Sequence, residues 1–517
     1  MNVNITRKKS IFIEKFLGNT PKWYKLTIII FLIINPICFL LIDKKLGGWL
    51  LMIEFIFTLA MALKCYPLQS GGLLIIESVI IGMTKTENIS NIIHQYTEVI
   101  LLLIFMVSSI HFLKPLLLYI FTKFFLSINS KRILSLFFCL GTALLSAFLD
   151  ALTVIAILIS ISFSFYNLYQ NYTLNNYNNV KNIITNNQDT KIFKKMEFKS
   201  KIFSKFLRNL IMHAVIGTAL GGVMTIVGEP QNLIIAKSVQ WNFNQFFLHM
   251  LPVTFPVLFS SILLCYLLEK YKLFGYGIEL NEDIKNFFKE YNSINKKINN
   301  NFELLIQVFV TILLIITLVF HLAEVGLIGL SIIILMTVFC GLDEKNVLKK
   351  SCQEILPFTG LLITFFAVMS IIIDQQLFKE FISFILEKTE KSQILFVYLF
   401  NGLLSTISDN VFVGAIYIRE ALNSFNLNLI TKKQYEYLVV AINTGTNLPS
   451  IATPNGQAAF LYLLTSPFAK ILNLSYKKMM YMSLPYTIVI SIVGLISINF
   501  FLIPTTTYFI QLGLLPK

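Results

Sequence analysis

The chain is 517 residues long, 56% hydrophobic and only 13% charged, with a mean hydropathy of +0.72. These values exclude a soluble globular domain. The net charge of +15, from 42 lysines and arginines against 27 acids, fits either nucleic acid or a membrane surface, so the placement of the basic residues has to decide.

The first 25 residues begin basic and run straight into an apolar stretch with no small-residue cleavage site, which reads as a cytoplasmic amphipathic lead-in and not a removed signal. Stretches of spanning length follow near 26–42, 48–66, 67–84, 97–113, 207–240, 247–268, 303–320, 324–341, 354–373, 435–465 and 479–503. Two further apolar segments, 133–166 and 392–425, each carry an acidic residue at mid-length and follow a short amphipathic stretch, 115–128 and 376–389. The fold class expected is all-α integral membrane, with about eleven transmembrane helices and two re-entrant helical hairpins. The Asn- and Lys-rich tracts 167–206 and 269–302 read as solvated linkers. Six cysteines without a C-x-x-C pair imply neither a disulfide framework nor a zinc site.

With the N-terminus inside and both hairpins entering and leaving on one face, 31 of the 42 basic residues fall on the inner side, as the positive-inside rule requires. The positive charge therefore marks a membrane face and a lipid partner, with no nucleic acid implied. The same count excludes a single span for either ambiguous segment and leaves a hairpin and a double span equally open.

The segment "LLSAFLDALTV" at 144–154 returns as "LLSTISDNVFV" at 403–413, pairing Ser146 with Ser405 and Asp150 with Asp409. A second match sets "GGVMTIVGEPQNLII" (221–235) against "GTNLPSIATPNGQAA" (445–459), pairing Gly221 with Gly445 and Pro230 with Pro454, with Gly222 beside the first break. The organisation read from this is an N-terminal segment and first span (1–47), a first repeat (48–268) with hairpin 133–166 and broken helix 207–240, and a cytoplasmic linker (269–302). A second repeat (303–503) with hairpin 392–425 and broken helix 435–465 follows, then a tail (504–517). Five spans in each repeat invert the second relative to the first, the arrangement in which broken helices meet at a mid-membrane substrate site.

The candidate ion-binding set is Asp150, Asp409 and Glu229, with neutral oxygens from Ser146, Ser405, Ser408, Asn410, Asn232, Thr453 and Asn455. Hard oxygen donors suit a hard cation or a proton. No Lys or Arg occurs in these motifs before Lys237, so a dicarboxylate would meet only negative charge. Sodium at Asp150 and Asp409, competing with protons for the same carboxylates, gives exchange with no cofactor. A single intramembrane Asp is often only a hydrogen-bonded structural group; two related by a repeat, each followed by a Gly/Pro break, favour function. Glu54 and Glu77 divide evenly between a proton path on one hand and a structural hydrogen bond or an interfacial location on the other. Glu229 divides the same way between a ligand and a polar residue at a helix break. His213 reads as a packing residue, and Asn35-Pro36 as a kink.

At these motifs the chain closely resembles the NhaB family of bacterial sodium/proton antiporters, through "GWLLMIEFIFTLAMALKCYPL", "GTALGGVMTIVGEPQNLIIAKSVQWNF", "FNGLLSTISDNVFVGAIYI" and "AINTGTNLPSIATPNGQAAF". The resemblance runs nearly end to end. It implies electrogenic exchange of cytoplasmic sodium, with lithium as an alternative cation, for protons across the bacterial inner membrane, in sodium tolerance and pH homeostasis. The family's intramembrane aspartate matches Asp150. More distantly, "SAFLD" and the G-G…T-x-x-G-x-P-x-N pattern are similar to the ion transporter superfamily, which implies scaffold and transport domains and a homodimer. That superfamily also holds sodium-coupled anion symporters and arsenite exporters, the rival reading. The symporters' Ser-Asn-Thr tips are replaced here by "LDAL" and "SDNV", which favours a cation. An enzyme is disfavoured by the lack of a phosphate loop, an H-E-x-x-H pair and a nucleophile elbow.

Overall fold

The computed structural model describes residues 13–128, 130–181, 189–279, 301–341 and 344–516, which are helical and contain no strand. Helix α1 (Lys22–Ile37) has Pro36 in its last turn. Proline lacks the N–H that the ladder needs, and the chain passes through a π-turn, Cys38–Ile42, before Asp43 caps α2 (Lys44–Ala60) by accepting from the Leu46 amide at 2.8 Å. Trp23, Leu26, Ile30, Ile33 and Ile37 are exposed along α1, an apolar face suited to lipid and not to water. After α3 (Pro67–Ile80), helices α4 (Thr86–Gln95) and α5 (Thr97–Leu101) meet at a 63° bend, and a π-turn leads into α6 (Val107–Ser127).

Helices α7 (Lys131–Ser146) and α8 (Ala151–Lys181) form the first pair, joined by a tip at 147–150. They are followed by α9 (Asp189–Gly222), a break, α10 (Pro230–Val239) and α11 (Phe243–Tyr271). The second half runs through α12 (Asn301–Val319), α13 (Val325–Cys340), α14 (Glu344–Asp374) and α15 (Lys379–Leu386). Its own pair is α16 (Glu390–Ile407) and α17 (Asn410–Asn426), and its broken helix α18 (Lys432–Asn447) continues through a 3₁₀ turn, Pro449–Ala452, to α19 (Ala458–Thr465). Helices α20 (Pro467–Ile471), α21 (Tyr476–Phe500) and α22 (Leu502–Gln511) close the chain.

Among the described residues, five helical segments are long and apolar enough to cross a bilayer: Lys22–Ile42, Ala151–Tyr172, Phe243–Tyr271, Phe302–Val319 and Tyr476–Phe500. The bent α4–α5 pair makes a sixth. The protein is thus a multi-pass all-α membrane protein. Two local expectations change. The amphipathic stretch 115–128 is no separate element but the end of α6, and α8 runs well past residue 166. The 22 residues of Ala151–Tyr172 reach about 33 Å at 1.5 Å per residue, a full bilayer core. By contrast, α16 and α17, of 18 and 17 residues, reach about 27 and 26 Å and are not among the segments that are both long and apolar enough.

Every residue in 206–236, 408–418 and 438–451 is buried. A helix apolar or buried on all sides is enclosed by protein, so both broken helices and the start of α17 lie at the centre of the fold. Helix α7 packs along α9 through Gly217 and Gly221, whose positions would set an added Cβ 2.2 Å from the Cys139 carbonyl oxygen and 1.8 Å from that of Ala143. Helix α16 packs along α18 in the same manner through Gly402, Gly445 and Pro449.

Candidate ion-binding site

The two helix breaks are fastened to the two tips by matching contacts. An added Cβ at Gly228 would lie 2.7 Å from the Ser146 carbonyl oxygen, and one at Gly456 would lie 2.6 Å from that of Ser405. The Thr225 hydroxyl donates to the Ala147 carbonyl, and the Thr453 hydroxyl donates to the Thr406 carbonyl at 2.5 Å. These contacts fix how the halves correspond. The tips keep the offset that pairs Asp150 with Asp409, but the breaks pair Thr225 with Thr453, Gly228 with Gly456 and Glu229 with Gln457.

The sequence pairing of Gly221 with Gly445 and Pro230 with Pro454 is therefore displaced by four residues. Gly445 corresponds to Gly217, since both lie against the same turn of the first hairpin arm, at Tyr398 and Cys139. Gly221 corresponds to Pro449. The small residue sits on the broken helix in one half (Gly221 against Ala143) and on the arm in the other (Gly402 against Pro449), so matching letters misaligned the motif. Pro230 opens α10 as Ala458 opens α19, and Pro454 lies inside the second break.

Asp150, Asp409 and Glu229 each immediately precede a helix, α8, α17 and α10 respectively, and Gln457 precedes α19. Asp150 accepts from the Thr153 amide at 3.3 Å, and Asp409 accepts from the Val411 amide at 2.9 Å. Carboxylates at helix N-termini are held by free amides and by the positive end of the helix dipole, which fixes their orientation. Glu229 is buried at the first break, within electrostatic range of both Asp150 and Asp409.

Buried oxygens without a hydrogen-bond partner occur at both tips and both breaks: Ser146 Oγ, Thr153 Oγ1 and Glu229 Oε1 in the first half, Ser408 Oγ, Asn410 Oδ1 and Gln457 Oε1 in the second. Buried polar atoms are normally satisfied, and a set of free hard oxygens beside carboxylates is what a small hard cation requires. Asp409 also lines a cavity of about 310 Å³ together with Tyr66, Leu152, Thr153 and Asn455; among the described residues it is the only charged side chain there. Asp150, 1% exposed against 8% for Asp409, does not line this cavity, though the Thr153 whose amide it accepts from does.

The other predicted donors divide. Ser405 and Thr453 spend their hydroxyl protons on the Thr446 and Thr406 carbonyls. Asn232 spans the first break by donating to the Gly222 and Thr225 carbonyls at 2.7 and 2.6 Å, and Asn455 ties the second to the Ala60 carbonyl at 2.9 Å. Replacing the Thr225 hydroxyl with Thr225→Val is expected to leave the buried Ala147 carbonyl unpaired and cost about 1–3 kcal/mol, read as a lower melting temperature of the purified protein; Thr453→Val should do the same.

Sequence reasoning missed Asn447. Its Oδ1 accepts from Gln231 at 2.7 Å and Asn410 at 3.3 Å, its Nδ2 donates to the Asn443 carbonyl at 2.9 Å, and its own carbonyl accepts from Gln457. It joins both breaks to the second tip. The available signal was Asn443 and Asn447, four apart on one helix face in "INTGTNLP", next to the break. Glu54 and Glu77 do not join this constellation. His213 lies between Tyr486 and Glu269, at 2.8 and 2.9 Å.

The sequence profile of the family "Bacterial Na+/H+ antiporter B (NhaB)" matches residues 3–517. This chain belongs to the NhaB family. Among NhaB proteins, one named Na(+)/H(+) antiporter NhaB from Photorhabdus laumondii is 56% identical over 97% of this chain and 98% of its own length. Its namesakes from Yersinia enterocolitica and Pasteurella multocida are 54% and 53% identical over 99% and 98% of this chain and 97% and 98% of their own lengths. Both tips and both breaks lie inside the matched span, so the constellation belongs to the shared NhaB chain and not to an appended segment.

Proposed function

We propose that this protein is a secondary sodium/proton antiporter of the bacterial inner membrane, exporting cytoplasmic sodium, and lithium in its place, in electrogenic exchange for protons. What supports this reading is the placement of Asp150, Glu229 and Asp409 each at the N-terminus of a helix, with buried oxygens free of hydrogen bonds at the same tips and breaks. A sodium ion takes the site when the acids are ionised; protons take it when they are not. Because the two compete for the same oxygens, each excludes the other and transport is coupled. The family and the names of its close relatives support the same reading. Within it, α16–α17 acts as a re-entrant hairpin, α7–α8 enters from the opposite face with a second arm long enough to cross the bilayer, the halves are inverted repeats, the N-terminus is cytoplasmic, and two copies form a dimer.

The test is reconstitution of the full chain into liposomes carrying an imposed pH gradient. Added sodium or lithium should collapse the gradient, and the apparent KM for sodium should rise as the pH falls, since protons compete at the carboxylates. A gradient indifferent to both cations, together with sodium-dependent uptake of an anion, would replace this reading with that of a symporter.

A further inference from the structure

Three polar side chains, one from each of the first three helices, meet at Asn35, and none of them lines the cavity at Asp409. The Asn35 Nδ2 group donates to Glu54 Oε2 at 2.7 Å and to Glu77 Oε2 at 3.0 Å, so one amide bridges carboxyls from α2 and α3. Asn35 and Glu54 are 0% and 2% exposed, whereas Glu77 keeps 9%. Glu54 Oε1 and Asn35 Oδ1 are buried and receive no hydrogen bond.

No basic side chain compensates the two acids among the described residues. On the elements packed around them the other titratable groups are engaged or distant. Lys25 donates to the carbonyls of Ile13, Glu14 and Gly18, Tyr24 to Ser70, and Cys65 to the Tyr66 carbonyl. Asp374 of α14 accepts from Thr84 and Asn88. Lys44, Lys45 and Lys64 stand at or beyond the ends of α2, and the remaining charged residues of α14 belong to its first three turns.

Two ionised carboxylates on one amide, out of water and without a counter-charge, are strongly disfavoured. A metal cation is a poor remedy, because the position between the two Oε2 atoms is held by an N–H donor with the wrong sign of partial charge. A proton fits. It neutralises one acid and turns it into a donor, for which the unpaired Glu54 Oε1 and Asn35 Oδ1 are available acceptors. Glu77, the most exposed of the three, is the entry point. We infer that Glu54 and Glu77 share one exchangeable proton, with Asn35 orienting the pair, at a binding site separate from the Asp150–Glu229–Asp409 constellation.

The test uses the full chain reconstituted without sodium and infrared difference spectra between acidic and alkaline buffer, so it does not depend on transport. Wild type should lose a protonated-carboxyl C=O band on alkalinisation that Glu54→Gln/Glu77→Gln lacks. Asn35→Leu should move the midpoint of that band at least tenfold in proton concentration, and Asp150→Asn should retain it. If the double variant does not assemble, Glu54→Gln and Glu77→Gln singly must each shift or remove the band. Identical spectra for wild type and the double variant would overturn the inference. So would a band that never titrates, the mark of a fixed structural hydrogen bond, or one lost in Asp150→Asn, which would place the proton at the exchange site.

Discussion

Asp150→Asn and Asp409→Asn are each expected to lower the initial rate of sodium-driven proton movement in proteoliposomes by at least about a hundredfold, with insertion and elution profile unchanged. Asparagine keeps the shape and can still accept from the Thr153 or Val411 amide, so the tips should fold as before. What goes is the charge. A buried ion stripped of one partner is destabilised by about 3–5 kcal/mol, and every 1.4 kcal/mol is a factor of ten, which sets the size of the loss. The double variant should show no exchange at all. Glu229→Gln is the milder change, because the corresponding position in the other half, Gln457, is already an amide. It should retain measurable exchange with altered pH dependence. Wild-type turnover in Asp150→Asn or Asp409→Asn would remove the carboxylates from the transport step.

Membrane class, the two acid-bearing tips and the two helix breaks are legible in the sequence because each leaves a one-dimensional mark. Long apolar runs give the helices, a lone acid inside such a run gives each tip, and Gly/Pro clusters give each break. What escapes is whatever depends on packing between segments distant in the chain. Asn447 looks like one more polar residue in "NTGTNLP" until Gln231, some two hundred residues earlier, is seen donating to it. Asn35 reads as the partner of a Pro36 kink, yet its amide faces acids on two other helices. The repeat shows the limit most directly: the tips align because Ser and Asp are kept in both halves, while the breaks mislead because Gly221 and Pro449 do the same packing job with opposite sizes.

That exchange of sizes leaves Gly221 with the tightest clearance of the glycines in the fold. An added Cβ would lie 1.8 Å from the Ala143 oxygen and 2.6 Å from its carbonyl carbon. Both are backbone atoms of α7, so no rotamer change can relieve the clash and the two helices must separate. Overpacking a tight interior costs about 1–3 kcal/mol even where side chains can adjust; here the whole arm has to move. Gly221→Ala is therefore expected to reduce sharply the yield of monodisperse protein and to lower its melting temperature. The surviving fraction should lose exchange, because α7 carries Ser146 and the tip at Asp150 away from Gly228 and Thr225. Gly72→Ala is the control: nothing lies within 4 Å of its added Cβ, and relief of glycine's backbone entropy in a helix should leave it neutral or stabilised by about 0.5–1 kcal/mol. Equal behaviour of the two variants would mean that α7 and α9 are free to slide past one another, and that the tip owes its position to something other than this contact.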